Sequence, residues 1–171
     1  MINFSKSLFY PNLGINEYPV LNRYPNPYSS HVKASDTLKS YTEMTCEGKT
    51  VLIIERLHSK TSKIKVPWIK SKYAYIMEKV VIGEDIKVYT LNISHKKFMT
   101  MLERQLIQEK TQFNKKYGKH VPGVAIQIET SIHSWNSWVE GFCLDNYKEN
   151  VMRAQKGMLH VLEKMGWKVQ H

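Results

Sequence analysis

Residues 134–165 read SWNSWVEGFCLDNYKENVMRAQKGMLHVLEKM, and their period differs from everything before them. Trp135, Trp138, Val139, Phe142, Cys143, Tyr147, Val151, Ala154, Met158, Val161, Leu162 and Met165 recur at steps of three and four. Such spacing makes one apolar stripe along a helix of about 30 residues. Ser134 stands where a hydroxyl caps a first turn. Gly157 inside a helix costs about 1 kcal/mol relative to Ala, so it marks a bend or a close contact.

Upstream the pattern is that of strands. Ile2, Phe4, Leu8 and Tyr10 alternate, with Lys6 as the exception. Residues 12–23 hold room for a short helix that Pro19 must start or bend. Pro25 and Pro27 then forbid a helix and impose a rigid, extended connection. Strand segments follow at Val32 to Met44, Thr50 to His58, Tyr73 to Ile82, Ile86 to Ile93, Phe98 to Gln108 and Val121 to Ile132. Gly83-Glu84-Asp85 reads as a hairpin loop, and residues 110–120 as a longer polar, basic loop. With the first segment, these predict a seven-stranded, curved antiparallel sheet, because the connections are short. A long helix laid on its concave face completes an α+β domain. Where sheet and helix leave space between them, the result is a pocket.

The chain has 171 residues, which fits one domain spanning 1–171. Apolar residues at 42 % and charged residues at 23 % exclude global disorder. No apolar run approaches the length of a membrane span. The first 30 residues carry only Lys6 and Arg23 as bases and no apolar core, so a cleaved presequence is not expected. Cys46 and Cys143 are too few for a disulfide framework or a four-ligand zinc site, and both read as plain thiols. His58, His95, His120 and His133 are scattered without a ligand spacing, so no metal is expected. No nucleophile elbow and no glycine-rich phosphate loop occurs, and neither an enzyme nor a cofactor is predicted.

The net charge of +10 points to a polyanionic partner: a nucleic acid, an anionic membrane or an acidic protein. Residues 56–72 hold Arg56, Lys60, Lys63, Lys65, Lys70 and Lys72 with no acid, around Pro67, Trp68 and Ile69. Bases around an indole suit docking on an anionic bilayer through Lys63, Lys65, Trp68 and Ile69, although a solvated charge run has the same composition. Arg23 precedes the rigid Pro-Asn-Pro element, which would fix a phosphate-matching fork or an ordinary carbonyl-satisfied arginine. Lys148, Arg153 and Lys156 lie on the last helix near Asn150, either as a working face or as its solvated side. Glu55, Glu78, Glu103 and Glu129 fall in different strands as candidate buried partners of bases. Ten Tyr and four Trp beside so much positive charge also suit stacking on nucleic acid.

Arg23-Tyr24-Pro25-Asn26-Pro27-Tyr28-Ser29-Ser30-His31-Val32 resembles the hallmark of the PRELI-like (Ups-type) mitochondrial lipid transfer proteins. The likeness continues through Glu55-Arg56-Leu57, Pro67-Trp68, Glu78, Asn92, His95 and Glu103. It ends on Tyr147, Asn150, Arg153, Lys156 and Gly157 in the last helix. The resemblance implies one lipid pocket enclosed by sheet and helix, and transfer of an anionic phospholipid between mitochondrial membranes. It favours phosphatidic acid over phosphatidylserine as cargo. It also implies an intermembrane-space setting and a heterodimer with a small helical hairpin protein bearing a twin-cysteine motif. Carried over by motif, Arg23 meets the lipid phosphate, Lys60 and Lys63 (or Lys65) line the pocket or its mouth, and Asn150, Arg153, where the family usually has Lys, and Lys156 join them from the last helix. Nucleic acid is then not a partner. Three departures stand out: the segment from Pro67 to Glu78, the family's lid, is short, Tyr147 stands in place of Phe, and Asn146 sits where some members carry a base.

Overall fold

The computed structural model describes residues 1–61 and 73–168. It contains β1 (Ile2–Pro11), β2 (Val32–Met44), β3 (Thr50–Thr61), β4 (Tyr73–Ile82), β5 (Ile86–Asn92), β6 (Thr100–Asn114), β7 (Lys119–His133) and α1 (Ser137–Lys164). The strands form one antiparallel sheet in the order β1-β7-β6-β5-β4-β3-β2. β1 closes against β7, and the others follow as a meander. This is the curved α+β architecture that the two periods predict.

Alternation sets the inner face. On β7, Val124, Ile126, Ile128, Thr130 and Ile132 are all buried. On β1, Lys6 keeps its inward parity and hydrogen-bonds Gln155 of α1 at 3.2 Å. The main core joins Val80, Val88, Ile107 and Val124 of the sheet to Met158 and Leu162 of α1. A second cluster packs Ile132 against Cys143, Tyr147 and Val151. Each fully buried Leu or Ile contributes about 1.5–3 kcal/mol. Burial also pushes the Cys143 thiol up in pKa, whereas Cys46 is exposed.

Several boundaries differ from the sequence reading. Asn136, not Ser134, caps α1, accepting from the Trp138 N–H at 2.8 Å. Ser134 is engaged elsewhere: its hydroxyl donates to the Phe98 carbonyl at 2.5 Å. The supposed loop at 110–120 is mostly ladder, because β6 runs to Asn114 and β7 starts at Lys119. Main-chain bonds suffice there whatever the side chains, and Gly118 supplies the positive φ of the turn. β6 starts later than Phe98, at Thr100, because Asn92 holds the preceding loop by donating to the carbonyls of Ser94 and Met99. Residues 12–23 form only a 3-10 turn at Ile15–Glu17. Pro27 opens a second one at Pro27–Ser29, where its missing N–H costs nothing. The apolar stripe also fails at its ends: Trp135, Trp138 and Met165 are exposed.

Candidate functional site

The ladder registers place Arg56 opposite Glu78, Glu78 opposite Thr90, Thr90 opposite Glu103, and Glu103 opposite Thr130. A polar row therefore crosses the inner face of a sheet whose neighbouring row is mainly apolar, with Ile54, Val80, Val88 and Ile128. Between this face and α1 lies a cavity of about 270 Å³. Leu8, Ile76, Met101, Ile126, Ile128, Val139 and Met158 supply much of its apolar wall. Arg23, Lys60, Glu78, Glu103, Asn150 and Arg153 supply charge and polarity.

Glu78 organises one end. It is fully buried, and Arg56 binds its Oε1 through Nε at 3.0 Å and Nη2 at 2.6 Å. Arg56 Nη1 also donates to the Leu21 carbonyl at 2.9 Å, tying the chain before Arg23 to the sheet. Arg23 Nη2 donates to Glu78 Oε2. Two guanidiniums thus share one carboxylate, and a net positive charge remains. Arg23 Nε is a buried donor with no hydrogen-bond partner among the described residues.

The electrostatics follow from burial and crowding. Desolvation, with the Arg23 charge beside it, lowers Arg56 to a pKa of about 10. Desolvation lowers His58 to about 3, helped by Arg23, Arg56 and Lys60. His58 is therefore neutral at pH 7, with Nδ1 2.7 Å from the Ser35 hydroxyl. Burial pushes the Tyr24 phenol up, but the charges of Arg23, Lys60 and Arg56 outweigh it, and the net shift is downward. The Arg23 charge acts in the same downward direction on all three groups.

The other end of the row is anionic. Tyr147 of α1 donates to Glu103 Oε2 and accepts from the Thr130 hydroxyl at 2.5 Å. Gln105 donates to Glu103 Oε1 at 2.7 Å. Burial, then the Glu103 carboxylate, push the Tyr147 phenol strongly up in pKa.

Of the residues predicted for the site, Arg23, Lys60, Asn150 and Arg153 come together on the cavity wall. Arg153 also binds Glu149 at 2.6 Å. Lys156 is exposed and does not line the cavity. Three helical residues rotate about 300°, which leaves Lys156 about 60° away from Arg153. Lys63, Lys65, Trp68 and Ile69 lie outside the described residues. Arg56, grouped with the solvated or membrane-facing bases, is instead buried. Its signal was the period-2 set of Ile54, Arg56, His58 and Lys60, which shares the inner face with Ile76, Glu78 and Val80. Glu103, considered only as a partner for a base, is held by Tyr147 and Gln105. Among the described residues no three His, Cys, Asp or Glu side chains group to hold a metal ion.

The sequence of this chain is similar to several known proteins. Protein ups1 homolog of Schizosaccharomyces pombe is 28 % identical over 151 residues, covering 84 % of each chain. Protein UPS1, mitochondrial, of Saccharomyces cerevisiae is 27 % identical over 84 % of this chain and 82 % of its own. PRELI domain-containing protein 1, mitochondrial, of Bos taurus is 27 % identical over 84 % of this chain and 66 % of its own. The PRELI-like family pattern matches residues 19–168, which takes in both the Arg23 segment and α1, and the chain belongs to that family.

Proposed function

We propose that this chain carries an anionic phospholipid, phosphatidic acid in the first place, between mitochondrial membranes within its internal cavity. One observation carries the reading: Arg23 presents a buried Nε, without a hydrogen-bond partner among the described residues, at the charged end of a cavity whose walls are largely apolar. A guanidinium matches phosphate geometry, and apolar walls suit acyl chains. Lys60 adds charge beside it, and Asn150 and Arg153 add polar contacts from α1. The mitochondrial setting is supported by the names of the yeast and bovine relatives, and we place the chain in the intermembrane space. A carrier and not a catalyst fits the charged groups. The His58 imidazole, with its pKa near 3, is a poor proton shuttle at neutral pH.

A second cargo has its own support. Glu103 forms no ion pair among the described residues, so the ammonium of phosphatidylserine would find a carboxylate on the same wall. A small helical hairpin partner with a twin-cysteine motif fits a domain that keeps a hollow core, because a cavity forgoes packing contacts. Binding the folded form alone stabilises it by mass action. Docking through Lys63, Lys65, Trp68 and Ile69 belongs to the same reading.

Mass spectrometry of lipid that co-purifies with the chain tests the proposal. Phosphatidic acid or phosphatidylserine enriched over membrane composition supports it and separates the two cargoes. No bound phospholipid, with nucleic acid absorbing at 260 nm instead, overturns it. Co-expression with a candidate hairpin protein should raise soluble yield and melting temperature, and an unaffected monomer removes the partner.

A further inference from the structure

Residues 110–120 read KTQFNKKYGKH and contain no acid. They carry the β6–β7 ladder past its neighbours: β5 pairs with β6 no further than Ile107, and β1 with β7 no further than Gly123. The result is a two-stranded arm that projects about 17 Å at about 3.4 Å per residue. Its root is fastened, because Glu109 accepts from the Ile15 N–H at 2.9 Å and Gln108 donates to Asp85 at 2.9 Å. Its tip is ordered by Asn114, which accepts from the Lys116 N–H at 2.9 Å, and by the positive φ of Gly118. Lys110, Lys115, Lys116 and Lys119 are all exposed, and Phe113 and Tyr117 stand beside them at 56 % and 42 % exposure. No residue of 108–122 lines the cavity, which takes Met101, Glu103 and Gln105 from β6 and Ile126 and Ile128 from β7. The arm lies at the end of β7 away from α1, which follows His133.

We propose that this arm docks on an anionic lipid bilayer, as a contact separate from the cavity and from any cargo. Four lysines meet the negative surface potential of a leaflet, at about 1 kcal/mol each. A tyrosine ring suits the headgroup region, and the Phe113 ring leaves water on entering it. A protein partner fits less well. A specific protein interface takes about 20–30 residues a side and is depleted in lysine, whereas the arm is short and lysine-rich. A nucleic acid fits less well too, because bases stack on open ring faces. Lys116 Nζ already lies 5.8 Å over the Tyr117 ring, and Phe113 and His120 meet edge to face at 5.4 Å. Docking through the arm holds the chain at a leaflet while the cavity-lining residues stay clear of it.

The test reads the arm itself within the full chain. Tyr117→Cys, with the exposed Cys46 changed to Ser, carries a polarity-sensitive dye at the tip, while Cys143 is buried. Vesicles are phosphatidylcholine alone or with added phosphatidylglycerol, which is not a proposed cargo. The dye should shift to the blue on the anionic vesicles only, and less as salt rises. Adding Lys115→Glu and Lys116→Glu should raise the lipid needed for half the shift by at least about tenfold. Melting temperature and co-purifying phospholipid should stay as in the wild type, since these residues are exposed and lie outside the cavity. A chain that binds anionic vesicles with no shift at 117 overturns the proposal. So does a shift that survives the charge reversal: if that variant also self-associates, the lysines guard unpaired strand edges instead. Loss of a co-purifying protein or nucleic acid on charge reversal, with no dye response to vesicles, overturns it as well. A dye response in a chain that carries no phospholipid ends the carrier reading and leaves the arm's docking standing.

Discussion

Arg23 and Arg56 bind opposite oxygens of the same buried carboxylate: Arg23 meets Glu78 Oε2, and Arg56 meets Oε1. Arg56 keeps both of its bonds to Oε1 and His58 Nε2 lies 3.1 Å from Oε2, so on the proposed reading Glu78 stays engaged when Arg23 turns to a phosphate. On the proposed reading the pair separates two duties, with Arg56 holding the fold and Arg23 serving the cavity.

Arg23→Gln should cut transfer of anionic lipid between liposomes by about tenfold or more, since charge-assisted hydrogen bonds are worth about 1.5–3 kcal/mol. Stability should fall by only about 1–2 kcal/mol, because Glu78 retains both bonds from Arg56. Arg23→Glu should abolish transfer and melt earlier than Arg23→Gln, because it sets a second carboxylate against Glu78. Fluorescent-lipid transfer read beside thermal melting decides it. Unchanged transfer with an unchanged melt removes Arg23 from the site.

His58 makes stability depend on pH in a defined direction. Its folded pKa of about 3 lies below the ordinary value of about 6.5, so the unfolded chain binds the extra proton between them. Stability from this group is complete above about pH 6.5 and drains as pH falls toward 3, with a slope of at most about 1.4 kcal/mol per pH unit. Denaturant melts at pH 7, 6 and 5 avoid most carboxylate titration and should show the decline for the wild type. His58→Gln should be less stable at pH 7 yet flatter across that range. Parallel curves would assign the pH dependence to other groups.

The fold was legible because its two periods are clean. Alternation in β7 and the step of three and four in α1 each follow from burying one face. Arg23 was legible through the prolines that follow it. The polar row was not, since Arg56, Glu78, Thr90, Glu103 and Thr130 become neighbours only when strand registers are known. A strand taken alone shows only isolated polar residues at inward positions, which resemble errors in the alternation. The exposed Trp135 and Trp138 were misread for the opposite reason: helical spacing places a residue on a stripe, but not on a part of the stripe that the sheet covers.

Tyr147→Phe restores the ring that the family resemblance leads one to expect and removes one hydroxyl. That hydroxyl donates to Glu103 and accepts from Thr130, so its loss leaves a buried Thr130 donor and a carboxylate short of a bond. The variant should lose about 1–3 kcal/mol in denaturant unfolding. Replacing Thr130 by Val in the same background should recover part of that loss, since both polar partners are then gone. A Tyr147→Phe chain as stable as the wild type would show that the three-residue contact contributes nothing net.

Gly157 is needed for what lies opposite it. A Cβ there would sit 2.5 Å from Asn26 Oδ1 and 2.7 Å from Nδ2, closer than real contacts allow. Asn26 has nowhere to retreat: Nδ2 donates to the Arg23 carbonyl at 2.7 Å, and Oδ1 accepts from the Tyr28 N–H at 3.0 Å. Helix propensity alone makes Gly157→Ala stabilising by about 1 kcal/mol. Overpacking costs about 1–3 kcal/mol, and the strained Asn26 bonds add to it, so the net effect should be destabilising by about 2 kcal/mol. In an Asn26→Ala background the obstacle is gone, and the same substitution should become neutral or stabilising. A double-mutant cycle on unfolding free energies measures that reversal of sign. Because Asn26 holds the Arg23 main chain, Gly157→Ala should also weaken lipid binding, and Asn26→Ala should weaken it on its own. Additive effects across the cycle would mean that α1 and the Arg23 segment do not meet through this pair.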